Sequence, residues 1–164
     1  MEFAAANNIP SQHISLLKSG NDDAQYERDF LAALTSHQVD ILALAGYMKR
    51  LPAVIVQHYS NRILNVHPAL LPMFGGAAMY GVYVHEAVLA AGCKVSGATV
   101  HLVTDEYDEG AIVLQKCCPV KDDDTAETLA RRVRNIEFEI YPQAIDLLAS
   151  DKIVIEGKRT KILS

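Results

Sequence analysis

The sequence predicts an α/β fold with a mainly parallel sheet flanked by helices and a β-hairpin at the C-terminal end. Three observations predict it. Short apolar runs ending in Gly or His-Pro alternate with stretches of helical periodicity through the first half of the chain. Two strand-like segments then follow one another across residues 96–118, and near the end two short segments flank Glu156-Gly157. Strands alternating with helices favour parallel pairing in the first half, whereas a turn between two short β-type runs favours a hairpin.

Taken in order, residues 24–38 carry Phe30, Leu31, Leu34 and flanking alanines at helical spacing. Residues 39–45 form a short, mostly apolar run ending at Gly46, read as a buried parallel strand. Residues 53–59 suggest a short helix after Pro52, and residues 63–66 a strand stopped by His67-Pro68. Residues 82–91 are helical, with Gly92 as the closing C′ residue. Segments 96–103 and 111–118 read as strands joined by a polar connection over 104–110. Residues 125–149 give the longest helix signal, with Asp122, Asp123 and Asp124 enriching its start in acid to suit the helix dipole. Pro142 is expected to kink or interrupt that helix. Segments 153–155 and 159–162 make the hairpin.

The 164 residues suit a single domain, spanning 1–164, with one continuous core. A content of 50% hydrophobic and 21% charged residues is that of an ordinary soluble globular chain rather than a disordered or fibrous one. Net charge is -5 and the only dense basic spot is Arg131-Arg132-Val133-Arg134, so no nucleic-acid partner is inferred. The first residues lack a basic and then an apolar region, so no signal peptide is expected. No apolar run approaches the roughly 18 residues of a membrane helix, so no membrane partner is expected. Cys93, Cys117 and Cys118 have no metal-ligand spacing and are odd in number, which fits a reducing, cytoplasmic setting. Cys117 and Cys118 adjoin on a strand and so face opposite ways, which argues against a shared metal.

In open α/β sheets, ligands settle beyond the carboxyl ends of strands. Two polar clusters fall there. The first runs from Asn65 through His67-Pro68 to Pro72; Asn65 and His67 are two apart and point to one side of an extended segment. The second is Thr104-Asp105-Glu106-Tyr107-Asp108-Glu109-Gly110, a carboxylate-rich loop after a strand carrying His101. An amide, an imidazole and a carboxylate suit acyl transfer to an amine. The amide donates to the developing oxyanion, the imidazole donates or carries a proton, and the carboxylate holds the imidazole or accepts the amine's proton. Singly, Asn65 also fits a turn cap, His67 a loop histidine and Asp108 a solvated acidic loop.

Leu44-Ala45-Gly46-Tyr47-Met48, the stretch Ile63-Leu64-Asn65-Val66-His67-Pro68-Ala69-Leu70-Leu71-Pro72, and Gly97-Ala98-Thr99-Val100-His101-Leu102-Val103 with Asp105 and Asp108 resemble the glycinamide ribonucleotide transformylase family. The Asn-x-His-Pro-x-Leu-Leu-Pro element is shared with the wider folate-dependent formyltransferases, while Met79-Tyr80-Gly81 and Val84-His85-Glu86-Ala87 point to the purine-pathway branch. The resemblance implies a Rossmann-like formyltransferase fold and transfer of formyl from 10-formyltetrahydrofolate, a cosubstrate, to the amine of glycinamide ribonucleotide, without a metal. It implies that Asn65, His67 and Asp108 are catalytic, with His101 supporting the carboxylate. It further implies that Tyr47, Met48, Leu51, Asp105, Glu106 and Tyr107 bind folate, and that Pro68 and Glu137 touch the ribonucleotide.

Two departures from the family pattern enter the expectation. The family's first strand and its Gly-Ser-Gly-x-Asn phosphate loop have no counterpart before Asn7, which predicts an incomplete chain or one completed by a homo-oligomer or a second chain. At Gly75-Gly76-Ala77-Ala78, related branches carry a basic residue, so weaker phosphate or folate contact is expected. The competing readings are hydrolysis of formyltetrahydrofolate by the same trio, methionyl-tRNA formylation, and a catalytically impaired fragment acting as an assembly partner.

Overall fold

A computed structural model describes residues 2–163. Four strands, β1 (Leu42–Leu44), β2 (Ile63–His67), β3 (Val95–Leu102) and β4 (Ile112–Pro119), form a sheet in that order. The helices are α1 (Glu2–Ala6), α2 (Asp23–Ser36), α3 (Ala53–His58), α4 (Val82–Ala90) and α5 (Ala126–Ala149). A separate hairpin pairs β5 (Ile153–Glu156) with β6 (Arg159–Ile162).

The expected mainly parallel sheet is a mixed one. β1 and β2 run parallel, but β2–β3 and β3–β4 are antiparallel. The short polar connection between β3 and β4 reverses the chain as a hairpin does, and two-strand reversals are antiparallel by geometry. The strand expected over 39–45 shrinks to Leu42–Leu44. Its first residue, Val39, is instead tied to the end of α2, where its amide donates to Leu34 O.

Pro142 does not interrupt α5, which is continuous from Ala126 to Ala149. A helical proline forfeits the bond to the carbonyl four residues back, here that of Phe138. Both residues are exposed, Phe138 at 71%, so water can take the freed carbonyl. The buried stripe Leu129, Val133, Ile136, Ile140, Ala144 and Leu148 passes through unbroken and supplies the packing that outweighs the lost bond. The helix begins at Thr125, whose side chain and that of Thr128 form a capping box. Asp124 lies just before it and takes both arms of the Arg132 guanidinium at 2.7 and 2.8 Å.

Strand alternation divides the core. Ile63 joins Leu51, Ile55, Val56 and Tyr59 under α2 and α3, while its neighbour Leu64 joins Val100, Leu102, Val133 and Ile140 under α5. The sheet thus has apolar cover from helices on both sides. Tyr141 of α5 ties the layers at one point: its hydroxyl lies 2.8 Å from Leu44 O and 3.0 Å from Leu64 O, sharing one proton between β1 and β2. Cys117 is exposed and Cys118 buried, as adjacent strand residues should be. Among the described residues, no helix is long and apolar enough to cross a membrane and no group of three or more His, Cys, Asp or Glu is placed to hold a metal ion.

Candidate active site

The end of β2 and the loop after β3 meet in a cleft of about 880 Å³. Register creates the meeting. Asn65 and His67 occupy one side of β2, and the antiparallel ladder places His101 of β3 directly opposite Asn65. Asn65 Nδ2 donates to His101 Nε2 at 3.1 Å. His101 Nδ1 in turn donates to Leu102 O at 2.9 Å, which leaves Nε2 as the acceptor in the neutral ring. A β-bulge between Val100 and His101 shifts the β3–β4 register at this point, the kind of irregularity that re-aims a side chain beside a site.

Asp108 closes the cluster from the other side. Its Oδ1 lies 3.4 Å from His101 Nε2 and its Oδ2 lies 3.6 Å from His67 Nδ1. The residue sits at φ 55°, an unusual conformation for a non-glycine residue and one that the surrounding loop must hold. Gly76 N donates to Asp108 Oδ2 at 2.9 Å, and His67 Nε2 donates to Phe74 O at 2.8 Å. Asn65, His67, His101 and Asp108, which the sequence singled out, therefore converge.

The electrostatics follow from burial. Burial pushes the His67 imidazole below its ordinary value, against the opposing pull of the Asp108 carboxylate and the Phe74 carbonyl. Burial alone would push the Asp108 carboxyl up. The approach of the His101 ring, the hydrogen bond from the Gly76 amide and the charge of His67 outweigh it and hold the carboxyl below the ordinary carboxylate range.

The loop after His67 is braced by a buried hydroxyl. Thr99 Oγ1 donates to Ala69 O at 2.6 Å and accepts from Leu71 N at 3.0 Å and Gln115 Nε2 at 2.9 Å. Gln115 Nε2 also donates to Leu71 O at 2.8 Å. Across the cleft, Arg50 Nη2 donates to the Asp105 carbonyl and links the two loops that form its walls.

Tyr47, Met48 and Leu51 line one wall, and Asp105, Glu106 and Tyr107 the facing loop. Leu51 is buried, whereas Met48 is 69% exposed at the surface. Burial, with the neighbouring Tyr26, pushes the Tyr47 hydroxyl up. Pro68 borders the cleft beside His67, and Glu137 borders it from α5. Burial raises the Glu137 carboxyl, with Arg134 pulling the other way.

Sequence reasoning assigned no role to several groups. His85 of α4 borders the cleft, is buried, and has an Nδ1 without a hydrogen-bond partner. Burial, then His67 and Arg134, hold its imidazole below the ordinary value. A lone histidine on the buried face of an apolar helix was the available signal. The Phe74 carbonyl and Gly76 amide left none, because backbone groups have no letter of their own.

A sequence model of the formyl transferase family matches residues 1–145. The chain belongs to the formyltransferase family. This formyltransferase chain is 40% identical over 152 residues to the chloroplastic phosphoribosylglycinamide formyltransferase of Arabidopsis thaliana, covering 93% of its own length and 52% of that protein. It thus spans about half of that relative. To phosphoribosylglycinamide formyltransferase of Bacillus subtilis (strain 168) it is 37% identical over 148 residues, 90% of this chain and 73% of the other. The crystal structure of glycinamide ribonucleotide transformylase 1 from Symbiobacterium toebii superposes with a TM-score of 0.90 at 38% identity, covering 99% of this chain and 74% of that one.

Proposed function

We propose that the chain carries the catalytic centre for formyl transfer from 10-formyltetrahydrofolate to the amine of glycinamide ribonucleotide, a step of purine biosynthesis, in the cytoplasm. The observation that carries the reading is the convergence of Asn65, His67, His101 and Asp108 at the base of one cleft. Relatives named for this activity support the substrate assignment. The cleft suits a flat heteroaromatic ring: Leu51 and Tyr47 give an apolar wall, and the 105–108 loop offers backbone donors and acceptors.

10-Formyltetrahydrofolate supplies the formyl carbon: its bond to N10 breaks as the bond to the amine forms, and the proton the amine gives up is passed through Asp108 to N10, which leaves as tetrahydrofolate. Asn65 has two N–H donors and spends one on His101, leaving the other for the formyl oxygen as it gains negative charge. His67, taking its second proton at the Nδ1 that faces Asp108, adds positive charge beside that oxygen. Asp108, held as a carboxylate, stabilises the imidazolium and accepts, directly or through water, the proton lost by the attacking amine. His101 holds Asn65 in place through Nε2, and the edge of its ring stands beside the Asp108 carboxylate. Pro68 and Glu137 border the side of the cleft that would receive the ribonucleotide.

The test is folate-dependent formylation of glycinamide ribonucleotide by the chain, compared with Asn65→Ala and His67→Ala. Removing the amide is expected to cost about 10²- to 10³-fold in turnover. Activity in both variants equal to the parent's would falsify the assignment.

A further inference from the structure

The Phe74-Gly75-Gly76 turn has no task in this chemistry, although both reacting side chains are bonded to it. His67 Nε2 donates to the Phe74 carbonyl at 2.8 Å, and two residues on Gly76 N donates to Asp108 Oδ2 at 2.9 Å. That same Oδ2 lies 3.6 Å from His67 Nδ1. With Gly76 free to take φ 96°, the turn holds Phe74 at φ 58°, an uncommon shape for a residue with a side chain. Such conformations persist only where the surroundings impose them, and they gather at functional sites.

Gly75 is required for a different reason. A Cβ there would stand 2.6 Å from Leu71 Cδ2, 3.2 Å from Asp108 Cβ and 3.7 Å from Asp108 Oδ2. The missing side chain leaves room for Leu71 and lets the Asp108 β-carbon pack against the turn.

A carbonyl oxygen only accepts, so the bond to Phe74 commits Nε2 of His67 to carrying a proton. In the neutral ring the lone pair then sits on Nδ1, the nitrogen that faces Asp108. Proton exchange is thereby confined to one nitrogen. We infer that the Phe74–Gly76 turn is a positioning device that sets the tautomer of His67 and the placement of the Asp108 carboxylate together, before substrates bind. The inference rests on the roles proposed above for residues 67 and 108. The other titratable groups around the pair are His101 on β3 and His85 on α4, with the charge of Arg134 on α5 beside His85.

Gly75→Ala in the full chain tests it. The added methyl crowds the Asp108 β-carbon as well as Leu71 Cδ2 and shifts the carboxylate on the turn, so turnover falls on the order of 10-fold with little change in KM. The acid limb of the pH–rate profile moves to higher pH, because the carboxylate loses a donor that favours its charged form. A merely structural defect would not move that limb. Nitrogen NMR of the unmodified chain gives a second readout that needs no variant: the neutral His67 ring carries its proton on Nε2. A neutral ring protonated at Nδ1 overturns the inference, as does a Gly75→Ala chain with the parent's turnover and profile. If Asn65→Ala and His67→Ala lose activity while Gly75→Ala keeps it, the turn's role fails and the reaction assignment stands.

Discussion

Replacing Asp108 with asparagine keeps the side chain's shape and removes its charge. His67 Nδ1 and Asp108 Oδ2 are 3.6 Å apart, with only 4% and 12% of the two side chains exposed. At an effective dielectric of about 20, two unit charges at that distance attract by about 5 kcal/mol. One power of ten in rate corresponds to about 1.4 kcal/mol, so full loss of that attraction in the transition state is worth between three and four powers of ten. Water in the open cleft reduces this. The expected fall in turnover is about 10²- to 10⁴-fold, in line with the usual worth of a positioned acid–base group. The sign of the pH effect is also fixed. Burial already depresses the imidazole, and the Asp108 charge opposes that depression. Removing the charge lowers the imidazole further, so the residual activity shifts toward acid pH. Steady-state formyl transfer from about pH 5 to about pH 9, alongside an NMR titration of the His67 ring, measures both. Turnover within about tenfold of the parent, with His67 titrating as before, would refute the electrostatic reasoning.

Two further outcomes concern the scaffold. Tyr141→Phe removes the hydroxyl that bridges Leu44 O and Leu64 O, and calorimetry is expected to show a loss of about 1 kcal/mol, or about 2–4 °C in melting midpoint; an equally stable variant would show that the bridge contributes nothing. The Arg132 fork, the Lys121 amide and the Thr128 hydroxyl hold the Asp124 carboxyl well below the ordinary carboxylate range. Its stabilisation is therefore complete above about pH 3.9 and is lost as pH falls toward the depressed folded value, so Asp124→Asn should melt below the parent at neutral pH and approach it only in strong acid.

Much of the site was legible because its side chains lie at the ends of periodic segments. Asn65 and His67 close a strand, His101 lies on another, and Asp108 follows in the loop. The sheet's hand of pairing was less legible. Strand–helix–strand order between β2 and β3 reads as a parallel crossover, yet α4 packs on α5 and the chain returns antiparallel. Pro142 misled because the rule concerns a lost bond, and the cost of that bond depends on whether the orphaned carbonyl meets water. The supports of His67 and Asp108 were invisible for the same kind of reason: they are main-chain groups, placed by φ angles that no side-chain pattern encodes.

The Thr99 hydroxyl uses its one proton and both lone pairs, on Ala69, Leu71 and Gln115. By coil-and-strand description residues 68–72 are a connection, but their main chain is moored to the interior of β3. The segment is anchored to the sheet through side chains rather than through a strand ladder. Whatever enters the cleft beside Pro68 therefore meets main chain braced from inside the sheet, and it meets an Asp108 carboxylate already tied to the Gly76 amide.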